Sequence, residues 1–266
     1  MGAAMRRLIA FDCATDTLLG SLDEAEGETG LLIVSGGNEV RMGAHRGMAL
    51  LAGRLAGDGV PVFRFDRRGV GDSTGRNRGY ASNHADIAAA AATFRANAPS
   101  VRKLVGFGNC DAATALALFG GRIGFDRLIL SNPWVVEPGD DLPPAAAIRA
   151  RYAERLRDPR QWWRLVSGGV NIERLIKGLG KIVAKRHETT EASLAERFFG
   201  ALPPDTAIIL AEHDATAQAF AAEARRRRWP GDIHRVDTPS HSYARIGDAD
   251  ALYHAIVSAL SSFRSP

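Results

Sequence analysis

The stretch Leu104-Val-Gly-Phe-Gly-Asn-Cys-Asp-Ala-Ala113 decides how this chain is read. An apolar run of strand composition passes directly into the start of a helix, with Gly108 two residues before Cys110 and Ala112 two residues after it. This is the G-x-Nuc-x-G spacing of a nucleophile elbow, with cysteine at the centre and alanine for the second glycine. So sharp a turn brings backbones close, which requires small flanking residues, and it lifts the central side chain above the carboxyl ends of the strands. The N–H groups at the start of the following helix favour a thiolate and can hold an oxyanion. Asp111 opposes this with a charge beside the sulfur, and the residues alone leave the sign of the net effect open. The plainer alternative is a buried structural cysteine.

Outward from the elbow the same alternation recurs. Upstream, Leu31-Leu-Ile-Val-Ser35 reads as a strand ending in Gly36-Gly37, followed by a helix over 44–57, the strand Val60–Asp66 and a helix over 82–97. Downstream of a helix over 111–119 come the strand Asp126–Leu130, the strand Thr206–Glu212, a helix over 216–228, the strand Asp232–Asp237 and a closing helix over 249–263. Two further strands flank an Ala-Thr-Asp turn near the N-terminus. Continuous apolar strands separated by helices predict an α/β fold with a mostly parallel sheet covered on both faces. Between Pro133 and Pro204 the alternation stops, and Trp134, Tyr152, Trp162, Trp163, Phe198 and Phe199 stand among many arginines. The expected organisation is a core of residues 1–133 and 201–266 carrying a helical cap insertion over 134–200.

Composition narrows the class further. The 266 residues, 45% hydrophobic and 24% charged, suit one large domain with an insertion. Two cysteines, Cys13 and Cys110, cannot staple such a fold or build a cysteine-rich zinc site, so neither metal nor cofactor is expected. No apolar run approaches the roughly 20 residues of a membrane helix, and Asp12 interrupts the N-terminal stretch before a signal-like segment develops. A cytoplasmic location is expected. The net charge of +4 and the run Arg225-Arg-Arg-Arg228 admit phosphate or anionic lipid as partners, but arginines complementing a helix C-terminus explain the run more simply, and nucleic acid is not expected. Gly106-Phe-Gly-Asn-Cys-Asp fails as a dinucleotide fingerprint because Asp111 stands where the third glycine belongs. Gly69–Gly75 lacks the Gly-Lys-Ser/Thr of a phosphate loop.

A cysteine nucleophile needs a base, and folds with this elbow supply the remaining groups in the order acid, then histidine. Asp214 follows the strand ending at Glu212, and His241 follows the strand ending at Asp237. His241 would take and return the proton while Asp214 orients the ring and stabilises its cation. Asp214 also suits a helix N-cap, and His241 also suits a surface turn; His213, His84 and His45 are competitors. The oxyanion donors are expected at the N–H of Asp111 and at that of Gly37 or Asn38.

These motifs resemble the α/β-hydrolases and, within them, the exosortase A system-associated hydrolases of type 1. The resemblance runs nearly end to end through Gly36–Arg46, Phe63–Ser73, Gly108–Ala113, Asn132–Val135, Asp214–Ala217 and His241–Arg245. It implies an eight-stranded sheet with a helical cap, a Cys-Asp-His triad, and a host that makes exopolysaccharide and sorts proteins to its envelope. Arg41, His45 and Arg46 lie in the matching loop, where they would bind an anionic substrate group or, equally, salt-bridge the cap. The expected activity is cleavage of an ester or thioester, on a small molecule or a carrier-bound acyl group, through an acyl-enzyme. An acyltransferase on the same site and a non-catalytic binding protein that retains the pocket are the rivals. The oligomeric state is left open by the sequence.

Overall fold

The computed structural model describes residues 5–135 and 192–262 of the chain. The N-terminal hairpin pairs β1 (Arg6–Cys13) with β2 (Asp16–Asp23). There follow β3 (Thr29–Val34), α1 (Gly47–Gly57), β4 (Val62–Phe65), α2 (His84–Asn97), β5 (Lys103–Asn109), α3 (Asp111–Ile123) and β6 (Arg127–Ser131). After the undescribed stretch come α4 (Leu194–Ala201), β7 (Ala207–Ala211), α5 (Ala215–Arg226), β8 (Ile233–Val236) and α6 (Asp248–Ser262). The eight strands form one sheet in the order β1-β2-β4-β3-β5-β6-β7-β8, antiparallel at β1-β2 and β2-β4 and parallel from β4 onward.

Strand alternation divides the core between the two faces of this sheet. Leu32, Val34, Leu104, Leu128, Leu130, Ile208 and Leu210 pack with residues of α2, α3, α4 and α5. Leu31, Ile33, Val105, Phe107, Ile129 and Ile209 pack with residues of α1 and α6. Every residue of β3, β4 and β7 is buried, which is why β3 from Leu31 onward and β7 read as unbroken apolar runs, while β4 buries Arg64 paired with Asp23 at 2.9 Å. The crossing of the sheet from β3 outward to β4 and back to β5 leaves the loops after β3 and β5 side by side at the carboxyl edge, the place where open α/β sheets bind ligands.

The insertion expected over 134–200 lies, apart from its ends, outside the described residues. At its C-terminal end α4 is started by a capping box between Ser193 and Glu196 and packs on the core. Phe198 is fully buried against Phe220 at 5.7 Å, and Phe199 stacks on the same ring at 5.5 Å. Phe198→Ala should therefore destabilise the fold by about 3–5 kcal/mol, measured by denaturant unfolding. The helix expected over 44–57 becomes regular only at Gly47, because His45 and Arg46 take left-handed φ values of 51° and 62°.

Candidate active site

The end of β5 makes the elbow. Cys110 has φ 60° and ψ −126°, a conformation outside the favoured regions for an L-residue, and α3 begins at the next residue. The small-residue requirement is met in physical terms: a Cβ on Gly108 would stand 2.9 Å from the backbone of Ala112 and Ala113. Because both atoms are main chain, Gly108→Val should force α3 off the sheet and lower the thermal midpoint while also impairing the site, a joint loss that circular dichroism melting and thiol labelling would detect.

His241 lies between the other two expected residues. Its Nδ1 is 3.0 Å from Asp214 Oδ2, and the ring is near enough to Cys110 for the sulfur to favour its protonated form. Burial would lower the affinity of this ring for a proton, but the hydrogen bonds and charges of Asp214 and Cys110 outweigh it and push the His241 pKa up to about 10. Burial acts upward on Asp214, yet the bond to His241, its charge and the N–H groups of Ala217 and Thr216 hold its carboxyl below the usual range. The N-cap and acid alternatives for Asp214 turn out to be compatible, since Oδ2 accepts from Ala217 N–H at 3.0 Å as well as meeting His241. A cationic ring beside a sulfur is the arrangement that activates a cysteine.

The competing histidines are placed elsewhere. His213 pairs with Asp237 at 2.8 Å on the surface, His84 packs edge-on against Phe119, and His45 is exposed. Cys13 is buried, with its sulfur 3.6 Å from an Asp86 oxygen, and burial followed by the Asp86 charge pushes its thiol up. Brief iodoacetamide treatment near neutral pH should label Cys110 at least about tenfold faster than Cys13, as read by peptide mapping; equal labelling would contradict the distinction.

Two expected roles need correction. The N–H of Gly37 is not open to an oxyanion, because it donates to Asp111 Oδ1 at 2.7 Å. The Asp111 carboxylate is thus turned into the Gly36–Asn38 loop, tying it to the first residue of α3. Arg67, fully buried, donates through Nη2 to the carbonyl of Gly37 and through Nη1 to Asn83. Peptide geometry then directs the N–H of Asn38 away from Arg67, since the carbonyl and N–H of a trans peptide point oppositely. The N–H groups of Asn38 and Asp111 have no acceptor among the described residues.

Arg41 is likewise not a free substrate contact. Its guanidinium pairs with buried Asp66 and, at 3.0 Å, with Asp72, and its Nε donates to Ser21. These partners brace the loop after β3 against the loop after β4. His45 and Arg46 are exposed, and the cap they were alternatively expected to meet lies outside the described residues. The Arg225–Arg228 run ends α5, where Arg226 and Arg227 pair with Glu223 at 2.6 and 2.7 Å, consistent with its simpler explanation.

Among the described residues no group of three or more His, Cys, Asp or Glu side chains is placed to hold a metal, and no helix is long and apolar enough to cross a membrane.

An eight-stranded sheet of this order with an elbow after β5 and acid and histidine after β7 and β8 defines a class, and comparison agrees: residues 31–255 match the alpha/beta hydrolase family, to which the chain belongs. An esterase of Pyrococcus furiosus shares the fold at TM-score 0.66 and 12% identity, over 97% of this chain and 90% of that one. The α/β hydrolase GrgF of Penicillium sp. sh18 does so at TM-score 0.66 and 16% identity, over 97% and 98%. A Xanthomonas campestris protein described as a serine hydrolase without lid aligns at TM-score 0.59 and 15% identity, over 98% and 97%. No curated protein matches the chain in sequence.

Proposed function

We propose that the protein is a cysteine-nucleophile hydrolase that cleaves an ester or thioester through an acyl-enzyme. The observation that supports this reading is the bond of His241 Nδ1 to Asp214 Oδ2 at 3.0 Å, with Cys110 near enough to favour the protonated ring from an elbow of φ 60°. The thiolate of Cys110 attacks the acyl carbonyl, and the carbonyl oxygen takes up the negative charge opposite the N–H groups of Asp111 and Asn38. Collapse breaks the bond to the alcohol or thiol, which leaves with the proton of His241 and puts the acyl group on sulfur. Water then attacks the acyl-enzyme, His241 takes its proton, and release of the carboxylic acid restores the thiolate. Asp214 keeps the ring in one orientation and stabilises its cation.

The esterase name of the Pyrococcus furiosus neighbour supports ester chemistry, and the cysteine where the Xanthomonas campestris protein is called a serine hydrolase favours a thioester or activated ester. The helical cap over 134–200, the membership among exosortase A system-associated hydrolases, a carrier-bound acyl substrate and a cytoplasmic location belong to the same proposal and rest on the motifs given above. The test is steady-state turnover of a panel of acyl thioesters and p-nitrophenyl esters by the full chain. Saturable release of free acid supports the reading. Acid formation that is absent for every substrate would overturn it, and acyl transfer to an added alcohol or thiol in preference to water would replace hydrolase with acyltransferase.

A further inference from the structure

We infer that Asn132 is a positioning residue whose buried side-chain amide sets the three loops of the site against one another, a role that rests on the acyl-transfer reading of Cys110, Asp214 and His241. Asn132 follows β6 directly, is fully buried, and belongs to none of the three loops. Its amide nevertheless reaches the last residues of β5 and β7, from which two of the loops spring, and the third loop itself at His241. Nδ2 donates to Asn109 Oδ1 at 3.0 Å, one residue before Cys110. The same Nδ2 donates to the main-chain carbonyl of His241 at 3.3 Å. Oδ1 accepts from the N–H of Ala211 at 2.8 Å, where the chain leaves β7 for Asp214.

The arrangement is reinforced on both sides. Asn109 Nδ2 donates to the same His241 carbonyl at 3.1 Å, so two amides grip one carbonyl. Tyr243, two residues beyond His241, is buried and meets Ser131 Oγ at 2.8 Å, so β6 holds the histidine loop at adjacent positions. Each polar atom of the Asn132 side chain is thereby satisfied, which buried amides require and which makes the arrangement rigid. Asn132 sits at φ 41°, in the left-handed region that asparagine, aspartate and glycine tolerate. Side-chain chemistry and backbone conformation therefore both select asparagine at this place.

The inference separates from a merely structural role because positioning acts through His241. Asn132→Gly keeps the backbone conformation and removes the amide. Asn132→Asp keeps the backbone and the acceptor for Ala211 but turns an oxygen toward the carbonyls of Asn109 and His241, and it serves should the glycine variant not fold. Each is expected to lower kcat on an acetyl thioester about 10²-fold, as small misplacements of reacting groups do, with KM within about threefold. Each should also move the His241 titration, followed by the ring Cε1–H signal in NMR, below its position near 10. Placed on a His241→Ala background, either change should cost less than about threefold more, because residues acting as one unit are non-additive. Unaltered kcat and histidine titration, or a loss that appears in full on the His241→Ala background, would overturn the inference. Should the unsubstituted protein turn over no ester or thioester, the acyl-transfer reading fails separately, and the histidine titration alone then decides whether Asn132 positions His241.

Discussion

Cys110→Ala is expected to reduce kcat on a thioester by on the order of 10⁴-fold or more, equivalent to about 5 kcal/mol of transition-state stabilisation. The reasoning is geometric. Cys110 alone stands at the elbow, near a His241 ring that is itself held by Asp214. Without the sulfur no acyl-enzyme forms, and only binding and the backbone N–H groups remain. His241→Ala should cost nearly as much, and the double substitution little more than either alone. Cys110→Ser is the more discriminating change. It preserves the elbow but presents a far less acidic group, so a site in which the histidine is poised as a cation should lose rate although all three positions remain filled. A serine variant as fast as the cysteine protein would show that the thiol is not needed.

Asp214→Asn should lower kcat on the order of 10⁴-fold, in the manner of triads that lose the carboxylate holding the ring. The same substitution carries a pH signature. The pKa of His241 is raised from 6.5 to about 10, so the stabilisation from its contacts is fully present below about pH 6.5 and is lost as pH rises through about 10. For Asp214, whose pKa is lowered from 3.8, the corresponding stabilisation is present above about that pH and is lost as pH falls through the depressed value. The alkaline limb of activity should thus lie near pH 10 and move toward neutrality in Asp214→Asn, because the variant removes both the bond and the charge that favour the imidazolium. Calorimetric melting across the same range should show the variant losing less stability on the alkaline side than the unsubstituted protein. An unmoved limb would mean that Asp214 serves the N-terminus of α5 and not His241.

How far the chain could be read in advance depended on whether the signal was local. The parallel strands were legible because burial on both faces writes Leu31–Val34 and Ala207–Ala211 as unbroken apolar runs. The elbow was legible because its steric demand falls on neighbouring residues, Gly108 and Ala112. The fates of Gly37 and Arg41 were not. Each is decided by a partner distant in sequence, Asp111 in one case and Asp66 in the other, and no periodicity reports which carboxylate will turn toward which donor. Asn132 was visible only as the first residue of the Asn132–Val135 segment of the resemblance, with no role attached, and its significance needs the sheet order that brings β5, β6 and β7 together. The late start of α1 escaped for a related reason, since the left-handed residues His45 and Arg46 carry no glycine to mark them.

The central claim is that Cys110 carries the acyl group during turnover. The direct measurement is intact-mass spectrometry of the full-length protein, quenched in acid within the first turnover of an acyl thioester, followed by peptide mapping. A mass increase equal to one acyl group, located on Cys110 and absent from Cys110→Ala, is the predicted result. Turnover of the same thioester with no adduct on Cys110, or with the acyl group on another residue, would contradict it.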